Sequence, residues 1–136
     1  MPNAKLSAKA VELLQKPFIA HIATVMRDGT PQVTPVWVDT DGEHVIINTV
    51  QGHLKTKNVK RNPWVAISIV DPQNPIRGFL TVRGQVVEQI TDGADAHIDK
   101  LSMKYTGQTY NRRSAGEVRV IWKIKPERIR GGLAGE

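Results

Sequence analysis

HVIINTVQGHLKTKNVKRNPWVAISIV (His44–Val70) holds two apolar runs around a short basic segment. HVIIN and WVAISIV are each long enough for a strand and too short for a helix-and-turn unit. Between them Lys55, Lys57, Lys60 and Arg61 place four cations within seven residues, with Asn58 among them. Asn62-Pro63 closes the segment, because the residue before a proline is pushed out of the helical region. The reading is strand, basic helix from about Gly52 to Arg61, strand. The first N–H groups of a helix and its dipole favour an anion, and lysine adds a mobile point charge. This segment is therefore a candidate cradle for a phosphate, with a solvated cationic face as the plainer alternative. Lys55 and Lys57 sit two positions apart and point to different faces, so one of them is the better ligand.

The same alternation extends outward. Upstream, FIAHIATV (Phe18–Val25) and PQVTPVWVD (Pro31–Asp39) flank Arg27-Asp28-Gly29-Thr30, a hairpin signal because Asp-Gly suits positive φ. Pro35 cannot donate to a ladder, so it marks an edge, a bulge or a place where backbone faces a ligand. Thr40–Glu43 is the next turn and His44–Thr49 the third strand. Downstream, Trp64–Val70, Phe79–Ile90 and Val118–Ile124 complete six strands, with Gly84 expected at a bulge or bend. Val118, Val120, Trp122 and Ile124 alternate onto one face. Ser7 caps a first helix, SAKAVELLQK, and Asp92 is the expected cap of GADAHIDKLSMKYTG, which buries Ala94, Ile98 and Leu101. Six strands with short turns and three short helices predict a mainly β fold: a six-stranded antiparallel split β-barrel of Greek-key type, one domain over residues 1–136.

Composition bounds the function. The chain has 136 residues, 40% of them hydrophobic and 24% charged, with Lys plus Arg exceeding Asp plus Glu by 19 − 13 = 6. A charge of +6 suits anionic partners. There is no cysteine, which excludes disulfides, thiolate zinc sites and cysteine nucleophiles and fits a cytoplasmic setting. No signal-peptide pattern and no apolar run near the ~20 residues of a membrane span is present. His21, His44, His53 and His97 have no metal-ligand spacing, so no metal is expected. His53 opens the basic helix and either contacts an anion or sits at the surface. Trp122 reads as core, and Trp37, just after Pro35, is a candidate ligand contact. No acid–base pair stands out. That suits redox chemistry, in which a cofactor carries the reaction and the protein supplies orientation and electrostatics.

The ordered set RDGTPQVTPVWV, HVIINT, KTKNVKRNP, WVAISIV, FLTVRGQVVE and the closing KYTGQTYNRRSAGEVRVIWKIKPERIRG resembles the pyridoxamine 5′-phosphate oxidase-like, FMN-binding split-barrel family. Its nearest likeness is to the deazaflavin (F420)-dependent oxidoreductase subgroup. The likeness runs from about Leu13 to Gly131. It implies a homodimer with cofactor sites at the interface and a small-molecule substrate, with no nucleic acid or membrane partner. It implies a ring along Gln32, Val33, Thr34, Pro35, Val36 and Trp37. The phosphate would lie by Asn48, Thr49, Lys55, Lys57 and Asn58, and the partner would contribute around Ile76, Arg77, Gly78 and the Tyr110–Arg113 loop. The chain lacks a counterpart of the C-terminal substrate segment of true pyridoxamine-phosphate oxidases, so vitamin oxidation is not expected. The expected function is hydride transfer from F420 to an enone, quinone or tetrapyrrole, with Lys60, Arg61, Arg112 and Arg113 as candidates for an acidic cofactor tail. An FMN reductase or flavin carrier is the alternative within the fold, and a nucleic-acid- or haem-binding barrel the alternative outside it. Few aromatics speak against the former of these last two, since base-stacking platforms need them.

Overall fold

The computed structural model describes residues 4–111 and 113–132. Its elements are α1 (Ala8–Gln15), β1 (Ala20–Val25), β2 (Pro31–Val36), β3 (Val38–Thr40), β4 (Val45–Val50), α2 (Leu54–Arg61), β5 (Trp64–Val70), β6 (Phe79–Ile90), α3 (Ala94–Thr106) and β7 (Arg119–Arg130). All seven strands form one antiparallel sheet in the order β2-β1-β5-β6-β7-β4-β3.

Seven strands rather than six follow from one position. The expected strand Pro31–Asp39 divides at Trp37 into β2 and β3, which lie at opposite edges of the sheet. One residue links two edges, so the sheet must curl until those edges meet. No ladder joins them, which leaves a barrel that is split. Pro35 therefore stands on an edge strand, paired on one side only with His21, where a missing N–H costs least. Beyond the break, the Val38 N–H donates to the Tyr105 hydroxyl at 3.1 Å instead of to a neighbouring strand.

Inward residues alternate along each strand. Ala20 and Ile22, Val65, Ile67 and Ile69, Leu80 and Val82, and Val120, Trp122 and Ile124 share one core with Leu13 and Leu14 of α1. Trp122 is fully buried, as its sequence pattern predicts, whereas Val118 lies before β7 and is exposed. β4 is buried at all six positions because the barrel core covers one face and α3 the other. That double cover encloses the polar pair Asn48 and Thr49.

Local signals explain most boundaries. The Ser7 hydroxyl accepts from the Ala10 N–H at 3.0 Å and starts α1. Gly29, at φ +88°, turns the first hairpin. Trp64–Val70 and Phe79–Ile90 form over the expected residues. α3 differs from its expected cap: Gly93 in the left-handed region precedes it, and no side chain caps it. β7 runs six residues beyond Ile124, because its second half pairs with the far end of β6 past a bulge at Gly84.

Candidate cofactor site

A cavity of about 610 Å³ opens where the split in the barrel meets α2 and α3. Pro35, Val36 and Trp37 form the wall at the β2–β3 corner. Asn48 and Thr49 come from the end of β4, and His53 and Lys55 from the start of α2. Ile98, Ser102 and Thr106 come from α3, and Gln108 to Asn111 with Arg119 from the α3–β7 loop and the start of β7.

The α2 side is cationic and short of partners. His53 precedes α2 without a side-chain cap, and the first-turn N–H groups of Leu54, Lys55 and Thr56 have no intrahelical acceptor. Among the described residues Lys55 has no carboxylate partner. Burial, and then the like charge of Arg119, hold its pKa below the ordinary lysine value. Burial also lowers the His53 pKa, with Lys55 and Arg119 adding to the effect and Glu117 opposing it. The Thr49 hydroxyl is buried and has no hydrogen-bond partner among the described residues. Cations that repel one another, free helix N–H groups and an unsatisfied hydroxyl are the donor set an anion completes.

The opposite side is aromatic. Trp37 stacks on Tyr105 with ring centroids 5.2 Å apart and planes within 11°, and meets Tyr110 edge-on at 6.3 Å. Tyr105 donates to the Phe18 carbonyl at 2.6 Å, and Lys104 donates to the Leu14 and Val38 carbonyls at 2.6 Å each. Burial pushes the Lys104 pKa down to about 8. These bonds fix α3 against the break in the sheet and hold Trp37 in place.

A polar chain lies behind the cavity. The Asn48 amide donates to the Ala94 carbonyl at 2.8 Å and to His97 Nδ1 at 3.1 Å, so His97 Nε2 is the nitrogen that donates to Asp39 at 3.0 Å. Arg119 donates to Asn48 Oδ1 at 3.3 Å, to Glu117 at 2.7 Å and to the Tyr110 hydroxyl at 2.7 Å. Burial alone would raise the Asp39 pKa. Hydrogen bonds from His97 and the Thr40 N–H, with the charge of Lys100, outweigh it and hold the carboxyl at about 2. A carboxyl depressed from 3.8 to about 2 stabilises the fold above its ordinary pKa by about 2 kcal/mol, and that stability disappears as pH falls from about 4 towards 2. Asp39→Asn should cost about this much at pH 7 and almost nothing at pH 2. Urea unfolding at the two pH values tests it, and an equal loss at both would refute the linkage.

Of the sequence-predicted residues, Pro35, Val36, Trp37, Asn48, Thr49 and Lys55 line the cavity. Gln32, Val33 and Thr34 lie further along the edge strand, where Gln32 accepts from Thr24 at 3.2 Å and Val33 is 61% exposed. Lys57 is exposed on another face of α2. Asn58 is fully buried, ties α2 to β1 through Thr24 at 3.0 Å, and accepts from Arg61 at 3.0 Å. Arg77 and Gly78 lie in the β5–β6 loop, where Gly78 borders a separate recess of about 260 Å³. Arg113 pairs with Asp95 and Asp99 on α3; Arg112 falls outside the described residues. The α3 wall, Arg119 and the His97 link were not foreseen. A charge within the apolar run EVRVIW was the one available signal for Arg119.

The family model described as pyridoxamine 5′-phosphate oxidase matches residues 6–131. The chain belongs to that family. Within it, the chain is similar to a solved F420 reductase, with 38% identity and a TM-score of 0.79 over 88% of this chain and 94% of the other. A conserved hypothetical protein from Mycobacterium tuberculosis is 22% identical, with a TM-score of 0.69 over 94% and 84% of the two chains. General Stress Protein 26 from Bacillus anthracis is 18% identical, with a TM-score of 0.68 over 89% and 88%. At these lower identities the likeness is one of fold. No curated protein matches the chain. Among the described residues, no helix of this family member is long and apolar enough to cross a membrane.

Proposed function

We propose that the chain is a cytoplasmic, F420-dependent oxidoreductase acting on a small electrophile such as a conjugated enone, a quinone or a tetrapyrrole. The observation that carries this is the uncapped start of α2, with half-buried Lys55, unpaired among the described residues, opening on a cavity whose other wall is Trp37. Phosphate fits the first, and a flat ring fits the second. The F420 reductase at 38% identity supports the deazaflavin over FMN. Lys55, the α2 N–H groups and Thr49 would hold the phosphate, and Pro35, Val36 and Trp37 would border the ring. When bound, reduced F420 supplies a hydride.

The proposal includes a homodimer. On the outer face of β2, β1 and β5, Val33, Ala23 and Ala66 pair in one cross-strand row. Val33 is 61% exposed, Trp64 45% and Val70 37%. Among the described residues no helix covers this largely apolar face, which adjoins the cavity at Pro35, so a second copy placed there would bury it and add a wall to the site. Val33→Asp should shift the protein from dimer to monomer in analytical ultracentrifugation; an unchanged sedimentation coefficient would move the interface elsewhere.

Titration with F420, FMN, haem and single-stranded DNA, followed by fluorescence or absorbance, tests the function. Saturable F420 binding tighter than FMN supports the reading. Binding to neither, with salt-sensitive DNA binding in their place, would sink it.

A further inference from the structure

We infer that Tyr110 is the proton donor to the reduced substrate, an α,β-unsaturated ketone, and that the Asp39–His97–Asn48–Arg119 chain positions it. This rests on the hydride-transfer reading above. Adding hydride to an enone places charge on its carbonyl oxygen, and a donor fixed at that oxygen lowers the barrier.

Tyr110 meets the requirement in three ways. It lines the cavity. Its hydroxyl oxygen accepts from Arg119 at 2.7 Å, and its own proton has no acceptor among the described residues. Its ring is held on both sides: edge-on to Trp37 at 6.3 Å and beneath the Arg119 guanidinium at 4.7 Å. Arg119 is itself fixed by Glu117 and Asn48, Asn48 by Ala94 and His97, and His97 by the Asp39 carboxylate. The backbone N–H of Tyr110 donates to Asp99 at 3.1 Å, tying the loop to α3. A hydroxyl held this firmly on a cavity-lining residue, with no acceptor for its proton among the described residues, is placed to donate to a ligand. A tyrosine needed only for packing would not require the Arg119 bond.

The step balances. When bound, the reduced deazaflavin would supply a hydride to the β-carbon, and the C=C electron pair would move so that charge develops on the carbonyl oxygen. The Tyr110 O–H bond breaks and its proton passes to that oxygen. The enol tautomerises to the saturated ketone, and the Tyr110 phenolate, beside Arg119, regains a proton from water.

Tyr110→Phe removes the hydroxyl and keeps the ring against Trp37. Three measurements separate its roles: F420 affinity by fluorescence, kcat for reduction of 2-cyclohexenone, and binding of cyclohexanone to cofactor-free protein by NMR line broadening. F420 affinity should stay within about twofold, kcat should fall about 10²-fold, and cyclohexanone binding should weaken about fivefold. Unchanged kcat and cyclohexanone binding, with F420 still bound, would overturn the role of Tyr110 alone. Loss of F420 affinity in the variant would make Tyr110 a cofactor contact and overturn the donor role. A wild-type protein that binds no F420 would overturn both this inference and the function it rests on.

Discussion

Lys55→Glu should weaken F420 binding about 10³-fold while leaving thermal stability unchanged or slightly raised. Removing one charge-assisted contact from a partly desolvated anion costs about 1.5–3 kcal/mol, and a carboxylate facing the phosphate adds repulsion of similar size. Together these approach the ~4 kcal/mol that corresponds to 10³. The fold should tolerate the change because Lys55 has no ion-pair partner among the described residues and already suffers burial and the charge of Arg119. A glutamate there would face Arg119 favourably. Lys57→Glu is the matched control. It adds the same charge two residues along an exposed face, where screening limits the effect to a few-fold. The pH dependence has a definite sign. An anion favours the charged lysine, so affinity is full at low pH and declines as pH rises through the lowered pKa of Lys55, starting below 10.5. Fluorescence titration of both variants over pH 6–10 decides the matter. Equal weakening by the two would reduce α2 to a diffuse positive field.

How much of this was legible in the sequence depends on whether the signal was local. Trp64–Val70 and Phe79–Ile90 were readable to the residue because alternation and flanking Pro, Asp and Thr residues act within a few positions. The Ser7 cap and the Gly29 turn are likewise local. The division at Trp37 was half legible. Pro35 announced an interrupted ladder, but only the closure of the sheet reveals that the two halves lie at opposite edges. β7 was read short because Pro126 and the charges after Ile124 look like a tail. They are held as strand by β6, through pairs such as Val82 with Ile129.

The site divides in the same way. Lys55, Thr49 and Trp37, which line the cavity, stand out in the sequence because a basic helix between strands and a proline-broken strand are sequence patterns. Asn58 sits three residues after Lys55 and reads as its fellow ligand, yet its amide is used up by Thr24 and Arg61. Composition cannot distinguish a polar residue that binds a ligand from one that joins two elements. The Asp39–His97–Asn48–Arg119 chain was invisible for a simpler reason. Its links span 58, 49 and 71 residues, and no motif encodes them.

Gly84→Ala should destabilise the protein by about 3 kcal/mol and lower its melting temperature by about 10 °C. A Cβ built on Gly84 would collide with the Lys125 carbonyl oxygen and stand 3.0 Å from its carbonyl carbon. The obstacle is backbone, and it belongs to the paired strand β7 at the point where the β6–β7 register shifts. Relief requires parting two strands that hold Val82, Val86, Val120, Trp122 and Ile124 in one core. Gly29→Ala separates this cause from glycine's other one. Gly29 has φ +88° and nothing within 4 Å of its Cβ position, so it should lose only about 1 kcal/mol from backbone strain. If close approach is what selects glycine at the bend, Gly84→Ala will be much the worse of the two in calorimetry. Equal losses would mean that β6 and β7 can separate freely there, and that the bulge, rather than the missing side chain, accommodates the curl of the sheet.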